Sequence, residues 1–323
     1  MDTPARLHHV TNGDALSAVI AAAGIPGSRS LWCDILHEGP VPASLSHEQL
    51  CATRARYGAD VGYAAYEDLS TAFREWQGAV DRPSYDELVL WYEHDLFDQL
   101  NLVQLLDRLA SQSTGARVSM VTTDRFPGHP KFRGMAELTP EEILTLFGQR
   151  QPLSPAQFAL AREAWNAFRQ PTPAPLQELV AGDTSALPYL KAALVRHLEE
   201  FPSTRNGLSL TEERILAAVE PGPRPIIDVF GHVLDQERCF FIGDSSFWTL
   251  VIRLATATPA LLDVEIVDAS KQALPHGTIR ITEPGRDVLH GCADRVELCG
   301  IDRWLGGVHV TDETPWRRPA TPL

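Results

Sequence analysis

The stretch from Asp86 to Asn101, DELVLWYEHDLFDQLN, constrains the fold more than any other part of the chain. Leu88-Val89-Leu90-Trp91-Tyr92 is a short apolar run of the residue types that pack in buried strands. Glu93-His94-Asp95 breaks it, and Phe97, Leu100, Val103, Leu106 and Leu109 then recur at helical spacing. The polar triplet therefore sits where a strand hands over to a helix at its carboxyl end. In open α/β sheets, ligands bind at such ends.

The same alternation runs through the first part of the chain. Arg6 to Thr11 reads as a strand, and Asn12-Gly13-Asp14 opens a helix over Ala15 to Ala23 that Gly24-Ile25-Pro26-Gly27 stops. Ser30 to Asp34 is a second strand, running into a proline-stiffened loop from Ile35 to Pro42. Ser46 caps a helical stretch that extends to Gln77. Ala116 to Thr123 is a fourth strand, ending at Asp124 and a loop from Arg125 to Gly134. Strands alternating with helices imply parallel pairing through right-handed crossovers. The expectation is α/β: a small Rossmann-like parallel-sheet domain over residues 1–135.

A helical connector over residues 136–205 follows. Thr139-Pro140-Glu141-Glu142 and Ser154-Pro155-Ala156-Gln157 are helix starts, Pro171, Pro173 and Pro175 mark a linker, and Leu187 to Glu200 is a further helix. Residues 206–323 then give helices ending at Val219, over Ile226 to Leu234 and over Ser246 to Thr256, strands over Leu261 to Val267 and Gly277 to Ile281, and a turn at Thr282-Glu283-Pro284-Gly285. That order predicts a winged-helix-like α+β domain. Its candidate recognition helix carries only Arg253 as a base-reading or phosphate-pairing side chain, where a groove reader needs several.

Composition narrows the function classes. The net charge of −14 disfavours broad binding to nucleic acid or anionic membrane. Five cysteines, Cys33, Cys51, Cys239, Cys292 and Cys299, form no CxxC pair, so reduced thiols are expected rather than a disulfide framework or zinc knuckle. With no signal-peptide pattern and no apolar run long enough to span a bilayer, the expectation is a cytoplasmic protein with no membrane partner.

The chemistry concentrates at four strand ends: Asn12-Gly13-Asp14, Asp34 through His37-Glu38, Glu93-His94-Asp95, and Asp124. In a parallel sheet these lie along one edge. Asp14 and Asp95 also suit plain helix N-caps, and His37 a loop tie. Glu93 and His94 lie between a strand end and a cap, where structure does not require them. Asp14, Asp34, Glu38 and Glu93 brought together would repel unless a cation sat among them, and carboxylates with histidine suit Mg²⁺ or Mn²⁺ as well as acid–base work. Asp14, Asp34, His37, Glu38, Glu93 and His94 are therefore the catalytic candidates. Lys131 and Arg133, in a loop on the same edge, with Asn12 and Gly13, are the candidates for holding a phosphate. No GxGxxG or GxxxxGK[ST] stretch is present, which removes the usual support for a dinucleotide or Walker-type site. The tail from Gly300 to His309 is dense in glycine, Arg303, Trp304 and His309. It is expected to pack near Asp34, His37 or Glu93, within the chain or across a homodimer, with Arg303 completing the site.

His9-Val10-Thr11-Asn12-Gly13-Asp14, Asp34 through Pro42 and Glu93-His94-Asp95-Leu96-Phe97-Asp98-Gln99, in this order, resemble the bacterial family known as domain of unknown function 1835. The resemblance covers the first 130 or so residues and brings no activity with it. The residues themselves suggest a metal-assisted hydrolase or transferase acting on a phosphate-containing small molecule or nucleotide, with Mg²⁺ or Mn²⁺ as cofactor. The alternative is a non-catalytic ligand-sensing regulator whose winged helix contacts DNA or a protein partner, DNA being the less favoured.

Overall fold

A computed structural model of the chain describes residues 5–81, 84–112, 115–238, 241–268, 274–314 and 316–320. It opens with β1 (Leu7–Thr11), α1 (Asp14–Ala22), β2 (Ser28–Leu31), the two-residue β3 (Gly39–Pro40), α2 (His47–Asp60), α3 (Tyr66–Asp81), β4 (Glu87–Trp91), α4 (Leu96–Ala110) and β5 (Arg117–Val121). Then come α5 (Pro140–Gly148) and β6 (Gln151–Pro152). The main sheet has the order β2-β1-β4-β5-β6. β2, β1, β4 and β5 are mutually parallel, with Thr11 opposite Trp91 and Trp91 opposite Val121, and only β6 runs antiparallel. This is the expected Rossmann-like sheet. The chain leaves β1 toward β2 and then crosses to β4 on the other side, so the order reverses between β1 and β4. That reversal opens a crevice at their carboxyl ends.

Every residue of β4 is buried, as a strand covered on both faces requires. The stretch expected as one helix from Ser46 is two, because the chain turns back after α2. Tyr63 N–H donates to the Gly58 carbonyl at 2.8 Å there, which places the Tyr63 hydroxyl beside the loop ahead of β3.

The rest comprises α6 (Pro155–Phe168), α7 (Ala174–Ala181), α8 (Leu190–Leu198), α9 (Leu210–Val219), β7 (Arg224–Pro225), α10 (Ile226–Asp235), α11 (Asp244–Thr256), β8 (Leu262–Asp268), β9 (His276–Ile281), α12 (Glu283–His290), α13 (Arg295–Cys299), β10 (Asp302–Gly306) and β11 (Val308–Thr311). The proline-rich linker contains α7, with Pro175 in its first turn. Helices α9, α10 and α11 with a sheet of order β7-β9-β8 make the winged-helix-like unit. The stretch expected as a turn after β9 is α12: the Thr282 side chain accepts from Gly285 N–H, and Pro284 is tolerated in the first turn. One apolar cluster runs from Val10 of β1 through Trp165 of α6, Leu194 of α8 and Phe247 of α11 to Val310 of β11. Among the described residues no helix is long and apolar enough to cross a membrane. Cys33, Cys51, Cys292 and Cys299 are free thiols, and Cys239 lies outside the described residues.

The tail reaches the N-terminal domain within one chain. β10 pairs with β11 and, in parallel, with β3, Leu305 opposite Gly39 and Gly306 opposite Pro40. Val41 N–H donates to Gly306 O at 2.8 Å, and Gly307 N–H to Phe168 O at 3.0 Å. A Cβ on Gly307 would stand 1.8 Å from the Arg169 carbonyl oxygen, so only glycine lets this hairpin seat. Gly307→Ala is expected to lower stability by about 1–3 kcal/mol, as overpacking of a fitted contact does. Gly78→Ala, in α3 with open space around it, is expected to be neutral or slightly stabilising. Urea melts of the two variants check this, and an unchanged midpoint for Gly307→Ala counts against the docking.

Candidate functional site

The crevice between β1 and β4 is closed by hydrogen bonds from both strand ends. Asp95 caps α4, its side chain accepting from Asp98 N–H at 2.9 Å. Asp98 accepts from the Asn12 amide at 2.9 and 3.1 Å and from the backbone N–H of Glu93. The residue after β1 is thereby bonded to the turn after β4. The end of the basic loop lies on the third carboxylate: Met135 N–H donates to Glu93 Oε1 at 2.7 Å, and a Cβ on Gly134 would stand 2.7 Å from Glu93 Oε2. One oxygen from each of Glu93, Asp95 and Asp98 falls within 4.8 Å of the others, and all three side chains are buried.

Three carboxyl groups this close and this dry cannot all be ionised without a compensating charge. Burial, reinforced by Asp98, pushes Glu93 well above the ordinary carboxylate range. Burial with Asp98 and Glu93 does the same to Asp95. Asp98 is pushed up to about 7 by burial, against the hydrogen bonds from Glu93 and Asn12. Asp98 accepts the most hydrogen bonds and carries the negative charge most readily.

The triad floors a cleft of about 530 Å³. Its other lining includes Ile35, His37, Phe97, Arg133, Phe241 and the first turn of α11, Gly243 to Ser246. The winged-helix unit thus contributes one wall. Its recognition-helix position is turned inward: no residue of α11 from Asp244 to Ala255 is exposed. Arg253 is half-buried, close enough to Glu38 to help hold that carboxylate ionised.

His37 is 5% exposed and stands edge-on to Phe97 and Phe241, ring centroids 6.3 and 5.1 Å away. Its Nε2 is 3.4 Å from Ser246 Oγ and 3.7 Å from Glu38 Oε1, and its Nδ1 is buried without a partner. Burial lowers its pKa and keeps the ring neutral, with Glu38 and Glu200 pulling the other way. Glu38 lies one layer behind. Its Oε2 accepts from Tyr63 at 2.8 Å and Tyr57 at 3.1 Å. Burial alone would raise its pKa, but His37 and the Ser246 and Tyr63 hydroxyls outweigh it.

Of the residues proposed from sequence, Asn12, His37, Glu93 and Arg133 line the cleft. The others do not. Asp14 is exposed as the first residue of α1, whose N-cap is Gly13. Asp34 is held bidentately by buried Arg54 at 2.8 and 2.9 Å and by Asn101, so it anchors the loop to His37. His94 is buried beside Tyr189, its ring neutralised chiefly by burial, outside the cleft lining. Lys131 is exposed on the loop, and Arg133 pairs with Asp235 at 3.5 Å at the rim. Arg303 is bound to Glu200 at 3.0 Å behind the cleft. Asp95 belongs to the strand-end set and is also the helix cap expected of it, whereas Asp98, Phe241 and Ser246 are site residues that the sequence does not single out. Asp98 carried one signal, its position five residues after Glu93 on the face opened by Asp95.

No protein-family model matches this chain, and no curated protein matches it.

Proposed function

We propose that the protein is a divalent-cation-dependent enzyme, a hydrolase or transferase, with Glu93, Asp95 and Asp98 as the cation ligands. The supporting observation is the triad itself: three buried carboxylates within 4.8 Å on the floor of an open cleft, where the sheet order reverses. A buried polar atom lacking a partner, His37 Nδ1, belongs to a residue lining the same cleft. An all-oxygen donor set suits Mg²⁺ or Mn²⁺. Such an ion supplies Lewis-acid polarisation of a bound oxygen. His37, neutral and beside the cleft, is placed to accept a proton.

Of the charged residues in the rest of the lining, Glu137 and Asp244 add to the negative charge of the triad, and Arg133 is the cation at the rim. A phosphate-bearing small molecule or nucleotide enters such a cleft only with its charge offset by the ion, which ties phosphate binding to metal binding. The family resemblance of the three N-terminal motifs adds no activity to this reading. The alternative, a non-catalytic ligand-sensing regulator whose winged helix contacts DNA or a protein partner, draws on the winged-helix arrangement, but α11 has no exposed residue from Asp244 to Ala255 to offer a groove.

Isothermal titration of the metal-free protein with Mn²⁺ and Mg²⁺, followed by phosphate esters with and without the ion, tests the proposal. Saturable Mn²⁺ binding with one-site stoichiometry, and ester binding that requires the ion, are expected. Heat changes indistinguishable from dilution at millimolar Mn²⁺ would sink it.

A further inference from the structure

We infer that Ser246 is a nucleophile served by His37, and that the cleft transfers a phosphoryl group from an uncharged phosphate or phosphonate ester onto the Ser246 hydroxyl. This does not rest on the cation site.

Four observations carry it. Ser246 Oγ lies 3.4 Å from His37 Nε2, within reach of proton transfer once a substrate tightens the contact. Both residues line the 530 Å³ cleft, so an electrophile bound there meets the pair. Ser246 stands in the first turn of α11, a helix of 13 residues whose N-cap is Gly243 and which has no side-chain cap bond. Ser246 therefore lies at the positive end of the helix dipole, which stabilises negative charge on its oxygen, with Asp244 in the same turn. The base is held on all sides: Phe97 and Phe241 flank the ring, and Glu38, fixed by Tyr57 and Tyr63, stands 3.7 Å from Nε2.

To act as the base, the neutral ring carries its proton on Nδ1, which is buried without a partner, and leaves the Nε2 lone pair toward Ser246. In that tautomer the Glu38 carboxylate gains little before the reaction. Once Nε2 is protonated, the carboxylate faces an imidazolium, an interaction stronger after proton transfer than before it. Glu38 is thus a positioning residue, and His37 the base.

The Ser246 O–H proton passes to His37 Nε2, the Oγ–P bond forms, and the bond from phosphorus to the leaving group breaks with the leaving group taking its electron pair. With diisopropyl fluorophosphate the leaving group is fluoride, and the product is a diisopropylphosphoryl ester on Ser246.

The test treats the full-length protein with diisopropyl fluorophosphate in the presence of EDTA and maps the adduct by peptide mass spectrometry. The expected adduct is on Ser246. Ser44→Ala, altering an exposed serine outside the cleft lining, should label as the unaltered protein does. His37→Gln should slow labelling by roughly 100-fold or more, the usual share of a general base. Glu38→Gln should move the half-maximal pH of labelling downward, because a nearby carboxylate raises the proton affinity of an imidazole. A purely structural glutamate would leave that profile in place. The inference is overturned if the unaltered protein carries no adduct on Ser246, or if labelling proceeds at the same rate without His37. Adduct formation in EDTA with no Mn²⁺ binding would uphold this inference while defeating the cation site.

Discussion

Replacing Arg196 with methionine is expected to destabilise the protein by about 3–5 kcal/mol, the range for breaking a buried ion pair by removing one partner. Arg196 is 7% exposed and uses most of its donors. It donates to Glu237 at 2.9 and 2.8 Å, to Glu200 at 2.8 Å and to Thr211 at 2.7 Å, with its guanidinium 4.7 Å from the centroid of Phe241. These partners come from the turn after α8, from α9 and from the segment after α10, so one side chain joins the connector to the winged-helix-like unit. Phe241 then carries the contact to His37 at the cleft. In the variant, Glu200 keeps Arg303 and Glu237 keeps Arg214, but two buried carboxylates lose their shared cation. Urea denaturation measures the loss. A change under about 1 kcal/mol would mean that the two remaining arginines carry both carboxylates.

The same hub sets an acid limit. Burial opposes ionisation of Glu200, yet Arg196 and Arg303 hold its carboxyl far below the ordinary range. A depressed folded pKa contributes stability above the unfolded value, near 4.3, and loses it as the pH falls through the folded value. Removing Arg196 raises the folded value, so the acid-unfolding midpoint of Arg196→Met should move to higher pH. Circular dichroism followed between pH 2 and 6 reads this directly.

What could be read from sequence followed from local rules. The strand-to-helix handover at Glu93 was legible because an apolar run, a polar break and a helical period are all short-range patterns. The convergence of strand ends followed from parallel topology, and the sheet bears it out. Asp98 was hidden because an acid three residues after a capping Asp looks the same whether it merely completes the helix start or lies in a buried carboxylate cluster. Arg303 was singled out by the density of special residues around it, but its partner Glu200 is 103 residues away, and nothing local identifies such a pair. Ser246 meets His37 across 209 residues for the same reason. The inward orientation of α11 was half legible: its apolar face and lone Arg253 argued against groove reading, while the cleft it walls depends on tertiary packing.

The second large effect is expected at the triad, where Glu93→Gln should abolish cation binding without harming the fold. Burial and Asp98 push the pKa of Glu93 well up, which favours its protonated form when no cation is bound. Glutamine has the same shape as the protonated acid, and its carbonyl oxygen can still accept from Met135 N–H. Raised folded pKa values contribute stability below the unfolded carboxylate range and lose it as the pH rises through the folded values. A glutamine that never ionises removes that loss, so without metal Glu93→Gln should melt no lower than the unaltered protein at pH 8. Cation binding requires the ligands deprotonated, so Mn²⁺ should raise the melting temperature of the unaltered protein more at pH 8 than at pH 5.5. In Glu93→Gln one charged ligand is gone. Losing an outer-shell partner alone costs roughly 10–100-fold in metal affinity, so losing a ligand should exceed that range. Asp95→Asn, which keeps a capping side chain at the start of α4, should behave alike. Thermal melts at the two pH values, with and without Mn²⁺, separate the outcomes. If both variants keep the full Mn²⁺ shift, the ion binds elsewhere and the three acids serve only the turn after β4.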